Sequence, residues 1–461
     1  TTADHAPIQN RFPTITQPLF FRILKESGYT HILRPRCRLC ETREYWVIQA
    51  SQGIDGPPRD KRPTLRRALT LPLLTLYGLG VTIGAGIYVL VGATAAEAGT
   101  YAPISFLVAA LVAAFTAFSY AELATRFPVS AGEAAYVEAG FGASWLTVAV
   151  GLLVALSGIV SASAIAIGAA SYLTAIIGLP APALMIGLVL AMGLVAAWGI
   201  AQSVIVAAVV TIIEIGGLFM VIAWGFGSAS ETAVVLQDLI PPLGGGHWFG
   251  IGAASLLAFF AFIGFEDMAN VAEEVKEPTR TFPKAIILTV IIAALLYMAT
   301  TTAVILVVPM ADLKGSAAPL ALVFANAPQV VRDAFAAIAV VATINGILIQ
   351  IIMASRVFFG LANKGYLPRR LARVSERTQT PIAATALVVI VIVILTQAFP
   401  IEALAEKTSQ IVLVVFVLVN LALLRVKRQV SVQLQPHFTV PWLVPVFGAM
   451  TSLALLTTAL L

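Results

Sequence analysis

The chain has 461 residues, of which 59% are hydrophobic and 11% charged, with a mean hydropathy of +0.94; soluble domains average about 45–50% apolar and about 25% charged. That composition excludes an ordinary soluble domain and reads as an all-α polytopic membrane protein. The net charge of +5 does not point to nucleic acid, because the basic residues cluster between apolar segments and form no stripe interleaved with aromatics.

Residues 1–62 read as an N-terminal cytoplasmic tail, either disordered or not native to the rest of the chain, and 63–461 as the transmembrane domain. The tail has no apolar run of signal-peptide type. Its Cys37-Arg38-Leu39-Cys40, with His31 nearby, is half a zinc site at best, since a second ligand pair is missing. No metal and no cofactor is assigned.

Windows of about 18–25 apolar residues predict eleven spans, near 71–94, 103–125, 143–176, 181–200, 203–227, 249–271, 284–309, 333–360, 381–398, 408–425 and 441–461. The third and eighth are long enough to tilt or to extend past the bilayer. From Arg59 onward, one set of alternate loops carries eighteen lysines and arginines, and the other carries only Lys314, Arg332 and Lys407. Short basic loops stay in the cytoplasm, so the first span starts there. Eleven spans then leave Leu461 outside, which points to a missing twelfth. Residue 1 is Thr rather than Met, so the chain reads as a fragment or as a processed or mis-started product.

The first span is interrupted. Gly78-Leu79-Gly80-Val81-Thr82-Ile83-Gly84-Ala85-Gly86-Ile87-Tyr88 places four glycines in an apolar segment, and each costs about 1 kcal/mol against alanine in a helix interior. Unwound backbone survives at membrane depth only where it is buried in protein or lines a cavity. A mid-membrane cavity is where a transporter binds its cargo.

The fifth span carries one odd residue, Glu214, in Thr211-Ile212-Ile213-Glu214-Ile215-Gly216-Gly217. The sixth begins as Phe259-Phe260-Ala261-Phe262-Ile263 and then acquires Gly264, Glu266, Asp267 and Asn270 before a loop closed by Pro278 and Pro283. An ionisable group inside a bilayer costs several kcal/mol unless it meets water or a partner. Asp267 and Glu273 are equally well read as already lying at the cytoplasmic interface. The first and sixth spans are both discontinuous and of opposite orientation, which is the pointer to a five-plus-five inverted repeat with its site at the midplane.

Four stretches together resemble the amino acid, polyamine and organocation superfamily, with the leucine-transporter type of fold. They are Gly80 to Tyr88; Phe260 to Ile286 with its Glu-Glu-x-Lys-x-Pro-x-Arg loop; Ser119 to Glu133; and Asn345-Gly346 through Ser355-Arg356 to Gly365-Tyr366-Leu367-Pro368. The resemblance covers roughly 63–461. It implies a permease rather than an enzyme: a secondary transporter that moves amino acids by alternating access, resident in the plasma membrane. The alternatives are a non-transporting amino acid sensor on the same scaffold and a polyamine or amino acid exchanger. The partners implied are an amino acid and the lipid bilayer, with oligomeric state left open.

An amino acid is a zwitterion. The N–H groups opening the second half-helix, near Ala85, Gly86 and Ile87, suit its carboxylate. The carbonyls near Thr82 and Ile83, around Gly84, suit its ammonium, and those of Phe260 and Ile263 can share it, which the resemblance also implies. Gly264 lets the sixth span break, and Phe260, Phe262 and Phe265 are the candidates for the wall around the side chain. Glu266 is the family's position for a carboxylate just below the site and is assigned to coupling or gating, with a purely structural hydrogen-bonding role as the alternative. Glu214 stands where some proton-coupled relatives carry a lysine in place of a sodium ion, so the charge here is reversed. It is assigned to coupling, with a transmembrane proton gradient favoured and sodium possible. Glu266 is the one clear acid for a cationic substrate, so neutral or broad amino acids are the first expectation.

Overall fold

In the computed structural model, the described residues are 67, 69–84, 86–128, 132–198, 204–229, 239–242, 245–316, 318–375, 377–378, 380–429 and 437–458. The tail, Cys37, Cys40, His31 and Ala85 lie outside them. Among the described residues no strand forms; a single bridge joins Leu69 to Val275.

The helices in chain order begin with α1 (Leu71–Ile83), α2 (Gly86–Ala98), α3 (Ala102–Arg126), α4 (Gly132–Phe141) and α5 (Ser144–Ile177). Next come α6 (Ala181–Trp198), α7 (Val204–Ser228), α8 (His247–Phe260), a 3-10 segment (Phe265–Glu274) and α9 (Pro278–Val307). The remainder are α10 (Met310–Leu313), α11 (Pro319–Leu322), α12 (Gln329–Asn363), α13 (Ile382–Ala398), α14 (Ile401–Arg428) and α15 (Leu443–Thr458).

Among the described residues, eight segments are long and apolar enough to cross a membrane, and α1, α13 and α15 are shorter apolar helices. The first of the eight, Gly86–Arg126, runs through a turn at Gly99, whose φ of +60° is left-handed backbone that glycine adopts without steric cost. That turn separates α2 from α3 where the sequence predicts a loop between the first two spans. The long third and eighth spans are α5 and α12. The first is stopped by Gly178 in the left-handed conformation and the second is started after Pro328, which cannot donate to a preceding turn.

Large apolar side chains cover the outside of the bundle, among them Leu111, Leu194, Ile212, Phe219, Leu295 and Ile394. In water such a surface would be unstable; against lipid tails it is the expected one. Inside, α5 packs along α12 and α14, α3 along α9 and α15, and α1 along α7 and α9, while α8 packs against α2 and α3. The broken first and sixth spans therefore run together through the interior. They are clipped at one end by Leu69 N–H donating to Glu274 O (3.0 Å) and Lys276 N–H donating to Leu69 O (2.9 Å). Between α10 and α12 lies the single-turn α11, and Gly92 of α2 lies against both α10 and α11: a Cβ there would meet Leu313 O at 2.7 Å and Pro319 Cβ at 3.3 Å.

Candidate functional site

Both helix breaks are imposed locally and locked by backbone contact. α1 stops at Gly84, and α2 starts at Gly86. A Cβ on Gly86 would lie 2.5 Å from Ala261 Cα, so the second half of the first span crosses the end of α8 at a distance only glycine permits. The reciprocal contact is Gly264, where φ is +126° and a Cβ would sit 2.6 Å from Val81 O. Two glycines thus clasp two helix ends, each against the backbone of the other break.

A third element holds the clasp. The Tyr297 hydroxyl of α9 lies 2.8 Å from Thr82 O and 2.8 Å from Ala261 O, and its one proton is shared between the last carbonyls of the two first halves. The Thr82 carbonyl, expected to face a ligand ammonium, therefore already accepts a protein hydrogen bond. The Thr82 hydroxyl donates back to Gly78 O (2.7 Å).

Beside the breaks is a narrow cavity lined by Val81, Thr82, Gly84 and Gly86 of the first span, and by Phe260 and Ile263 of the sixth. Ser161 and Ile165 of α5 and Gly346, Ile349 and Gln350 of α12 close the opposite side. The first N–H groups of α2 have no carbonyl one turn earlier to bond, which is the general property of a helix start and favours an anion.

Five residues singled out in the sequence meet here: Thr82, Gly84, Gly86, Phe260 and Ile263. Ile83 and Ile87 are fully buried in the core and do not line the cavity. Gly264 acts through its backbone conformation. Of the aromatic wall expected from three phenylalanines, only Phe260 reaches the cavity. Phe262 packs edge-on to Tyr297 (5.0 Å) and Phe265 packs against Tyr120 and Phe416 (6.0 and 5.4 Å), because the turn over 261–264 sends the side chains of consecutive residues to different neighbours.

Glu266 does not reach this cavity. It lines an adjoining one, together with Asp267, Glu133 and Tyr120, and its Oε2 accepts the Gly264 N–H (2.9 Å), which caps the break. Asp267 is 7% exposed; it is buried because the sixth span continues as a 3-10 segment packed between α1, α3, α4 and α9. Glu214 is fully buried on α7. Its Oε1 accepts from the Asn345 amide at 3.4 Å, and its Oε2 has no hydrogen-bond partner among the described residues. The Tyr88 hydroxyl donates to the Glu214 backbone carbonyl (2.6 Å) and the Tyr172 hydroxyl to Tyr88 O (2.6 Å), so this acid is tied to α2 and, through it, to the first break.

Sequence reasoning missed Tyr297, Ser161 and Gln350 as site residues, and Glu133 as a buried acid. Tyr297 did leave a signal, since a phenol amid an apolar helix needs a partner. The others did not, because their neighbours are remote in sequence.

A family model described as amino acid permease matches residues 69–461. The chain belongs to that family. Its relatives are named as transporters and permeases, not enzymes. The "Cationic amino acid transporter 3, mitochondrial" of Arabidopsis thaliana is 32% identical over 391 residues, covering 79% of this chain and 63% of the relative. The "Branched-chain amino acid permease BcaP" of Bacillus subtilis (strain 168) is 29% identical over 385 residues, 79% of this chain and 82% of the relative. The "Methylthioribose transporter" of the same bacterium is 29% identical over 413 residues, 85% and 88%. This family member spans less than two thirds of the length of the plant relatives it matches.

Proposed function

We propose that the chain is a secondary transporter that carries amino acids across a membrane by alternating access. The observation that carries this reading is the cavity at which both broken spans meet, with the start of α2 on one side and the carbonyl end of α8 on the other. The carboxylate of the substrate faces the N–H group of Gly86 at the start of α2, and its ammonium faces the carbonyls of Phe260 and Ile263. A zwitterion is thereby held between opposite helix poles, and Phe260 covers it.

The relatives named for cationic and branched-chain amino acids support an amino acid cargo. The architecture proposed is a five-plus-five inverted repeat, in which the two broken spans and their neighbours rock against α5, α6, α12 and α13. The first span starts on the cytoplasmic side of the plasma membrane, and residues 1–62 form a separate cytoplasmic tail. Glu214 is proposed as the coupling site: a proton taken up at its Oε2, which has no hydrogen-bond partner among the described residues, turns an acceptor into a donor beside the Tyr88 link to α2. That favours a proton gradient over sodium.

The test is uptake of labelled amino acids and putrescine into proteoliposomes under an inward proton gradient, a sodium gradient and no gradient. Amino acid accumulation driven by external acid, and lost in Gly86→Leu, is the expected result. Tight amino acid binding with no flux in any gradient or in exchange would sink transport and leave a sensor.

A further inference from the structure

The basic residues at the helix ends are answered unequally. Glu122 takes Arg126 and Lys427, and the Arg425 guanidinium lies 4.3 Å from the centre of the Phe141 ring. Lys276 and Arg280 alternate with Glu274 and Glu277. Between α12 and α13 the balance differs: Lys364, Arg369, Arg370, Arg373 and Arg377 stand in one stretch against a single acid, Glu376. All five cations are exposed, and none makes an ion pair or a side-chain hydrogen bond among the described residues.

The stretch is fastened to the bundle. After Pro368 the chain turns through the short 3-10 helix Arg369–Ala372, which packs against α12 and α13. The Ser375 N–H donates to Thr380 O (3.0 Å), and the Thr380 hydroxyl donates to Ala197 O at the end of α6 (2.7 Å). Leu371 and Ala372 are half-buried while Arg369, Arg370 and Arg373 are exposed. One side of the turn therefore rests on protein, and the other presents three guanidinium groups.

Its depth in the bilayer follows from its neighbours. Ile382, in the first turn of α13, is exposed, and Leu387, Ile390 and Ile394 continue an exposed apolar face that suits lipid tails. Trp198, next to the Ala197 carbonyl that Thr380 holds, is 74% exposed, and Tyr366 is 46% exposed. Tryptophan and tyrosine collect where hydrocarbon meets the headgroups. The unanswered cations thus stand beside the first lipid-facing turn of α13, at headgroup depth.

We infer that this surface binds the headgroups of anionic phospholipids. The arginine fork matches the oxygens of a phosphodiester, and each cation close to an anionic membrane surface adds to the attraction. Exposed Tyr366 and Val374 give the same surface an apolar contact with the upper ends of the acyl chains. The inference rests on membrane embedding alone and not on which cargo is carried. Because α12 and α13 belong to the part against which the broken spans are proposed to move, the lipids hold the frame rather than the moving helices.

The test is lipid binding to the full chain in neutral detergent, titrated with phosphatidylglycerol or with phosphatidylcholine and read by native mass spectrometry. The wild type is expected to bind phosphatidylglycerol more tightly by at least about tenfold. The variant Arg369→Gln with Arg370→Gln and Arg373→Gln should lose that preference. Lys276→Gln with Arg280→Gln and Lys284→Gln, which removes the same charge elsewhere, should keep it. No preference in the wild type, or one that survives in the arginine variant, overturns the inference. Equal loss in both variants overturns it too, in favour of a diffuse attraction to net charge. Inorganic phosphate that displaces phosphatidylglycerol at equal concentration overturns the lipid in favour of a free anion. None of these outcomes involves flux, so each leaves the transport reading as it stands. Should the arginine variant not fold, the pair Arg369→Gln with Arg370→Gln is held to the same criterion.

Discussion

Glu122 and Glu214 are the same residue type, both fully buried, and they live in opposite conditions. Glu122, near the end of α3, accepts from Arg126 Nε (2.9 Å) and from its terminal nitrogen (2.5 Å) with one oxygen, and from Lys427 Nζ (2.5 Å) and Val440 N–H (2.8 Å) with the other. Lys427 also donates to Val440 O (2.7 Å). This carboxylate has two cations and a backbone donor, and it bolts α3 to α14 and to the chain entering α15. Glu214 has one amide at the limit of hydrogen-bonding distance and one oxygen with nothing among the described residues to accept from. The first arrangement pairs its charge within the fold; the second leaves an acceptor unmet, which is what the coupling role proposed above for Glu214 rests on.

The comparison is most exposed to failure at Glu122. Replacing it by alanine leaves Arg126 and Lys427 facing each other without their counter-charge, and removing one member of a buried ion pair costs about 3–5 kcal/mol. Glu122→Ala should therefore yield little monodisperse protein and a sharply lowered thermal midpoint in detergent. Glu214→Leu is the counterpart. Because it removes an incompletely paired polar group from an apolar helix, its thermal midpoint should match or exceed that of the wild type. A loss as large as that of Glu122→Ala would mean that Glu214 also serves the fold.

Glu214→Gln keeps the shape and the Asn345 contact while removing the exchangeable proton. Accumulation driven by a proton gradient should drop at least tenfold, equivalent to about 1.4 kcal/mol, while substrate exchange without a gradient continues. Gradient-driven accumulation that persists would end its assignment to coupling. The smallest effect is expected along the same seam that Glu122 anchors. The Ser119 hydroxyl donates to Asn420 Oδ1 (2.6 Å), and the Asn420 amide donates to Thr116 Oγ1 (3.0 Å) and Phe416 O (2.8 Å). Ser119→Ala removes one neutral hydrogen bond of this network and should cost about 1 kcal/mol, read as a small downward shift in the same thermal scan with uptake retained.

Legibility in the sequence followed the range of the forces involved. The spans were legible because an apolar stretch of membrane length is a local property, and their predicted positions recur as helices from α1 to α15. The breaks were legible because glycine spacing and the arrival of Glu266 and Asp267 in an apolar segment are local as well. The side-chain directions around the second break were not. Phe260, Phe262 and Phe265 look equivalent as text, and only the turn over 261–264 sends one to the cavity and two into packing against Tyr297, Tyr120 and Phe416. The packing of the 3-10 segment that buries Asp267 against α1, α3, α4 and α9 was not legible either, because those helices are set by contacts remote in sequence.

The sequence by itself determined that this is a polytopic helical membrane protein with its first and sixth spans broken, because helix propensity, hydropathy and backbone freedom act within a few residues. The tertiary structure alone decided what each buried acid meets. Lys427 and Val440 stand 305 and 318 residues beyond Glu122, and Asn345 stands 131 beyond Glu214. A carboxylate's role depends on charges and donors within a few ångströms, and nothing in the local text around Glu122, Glu133, Glu214 or Asp267 states which helices will bring them.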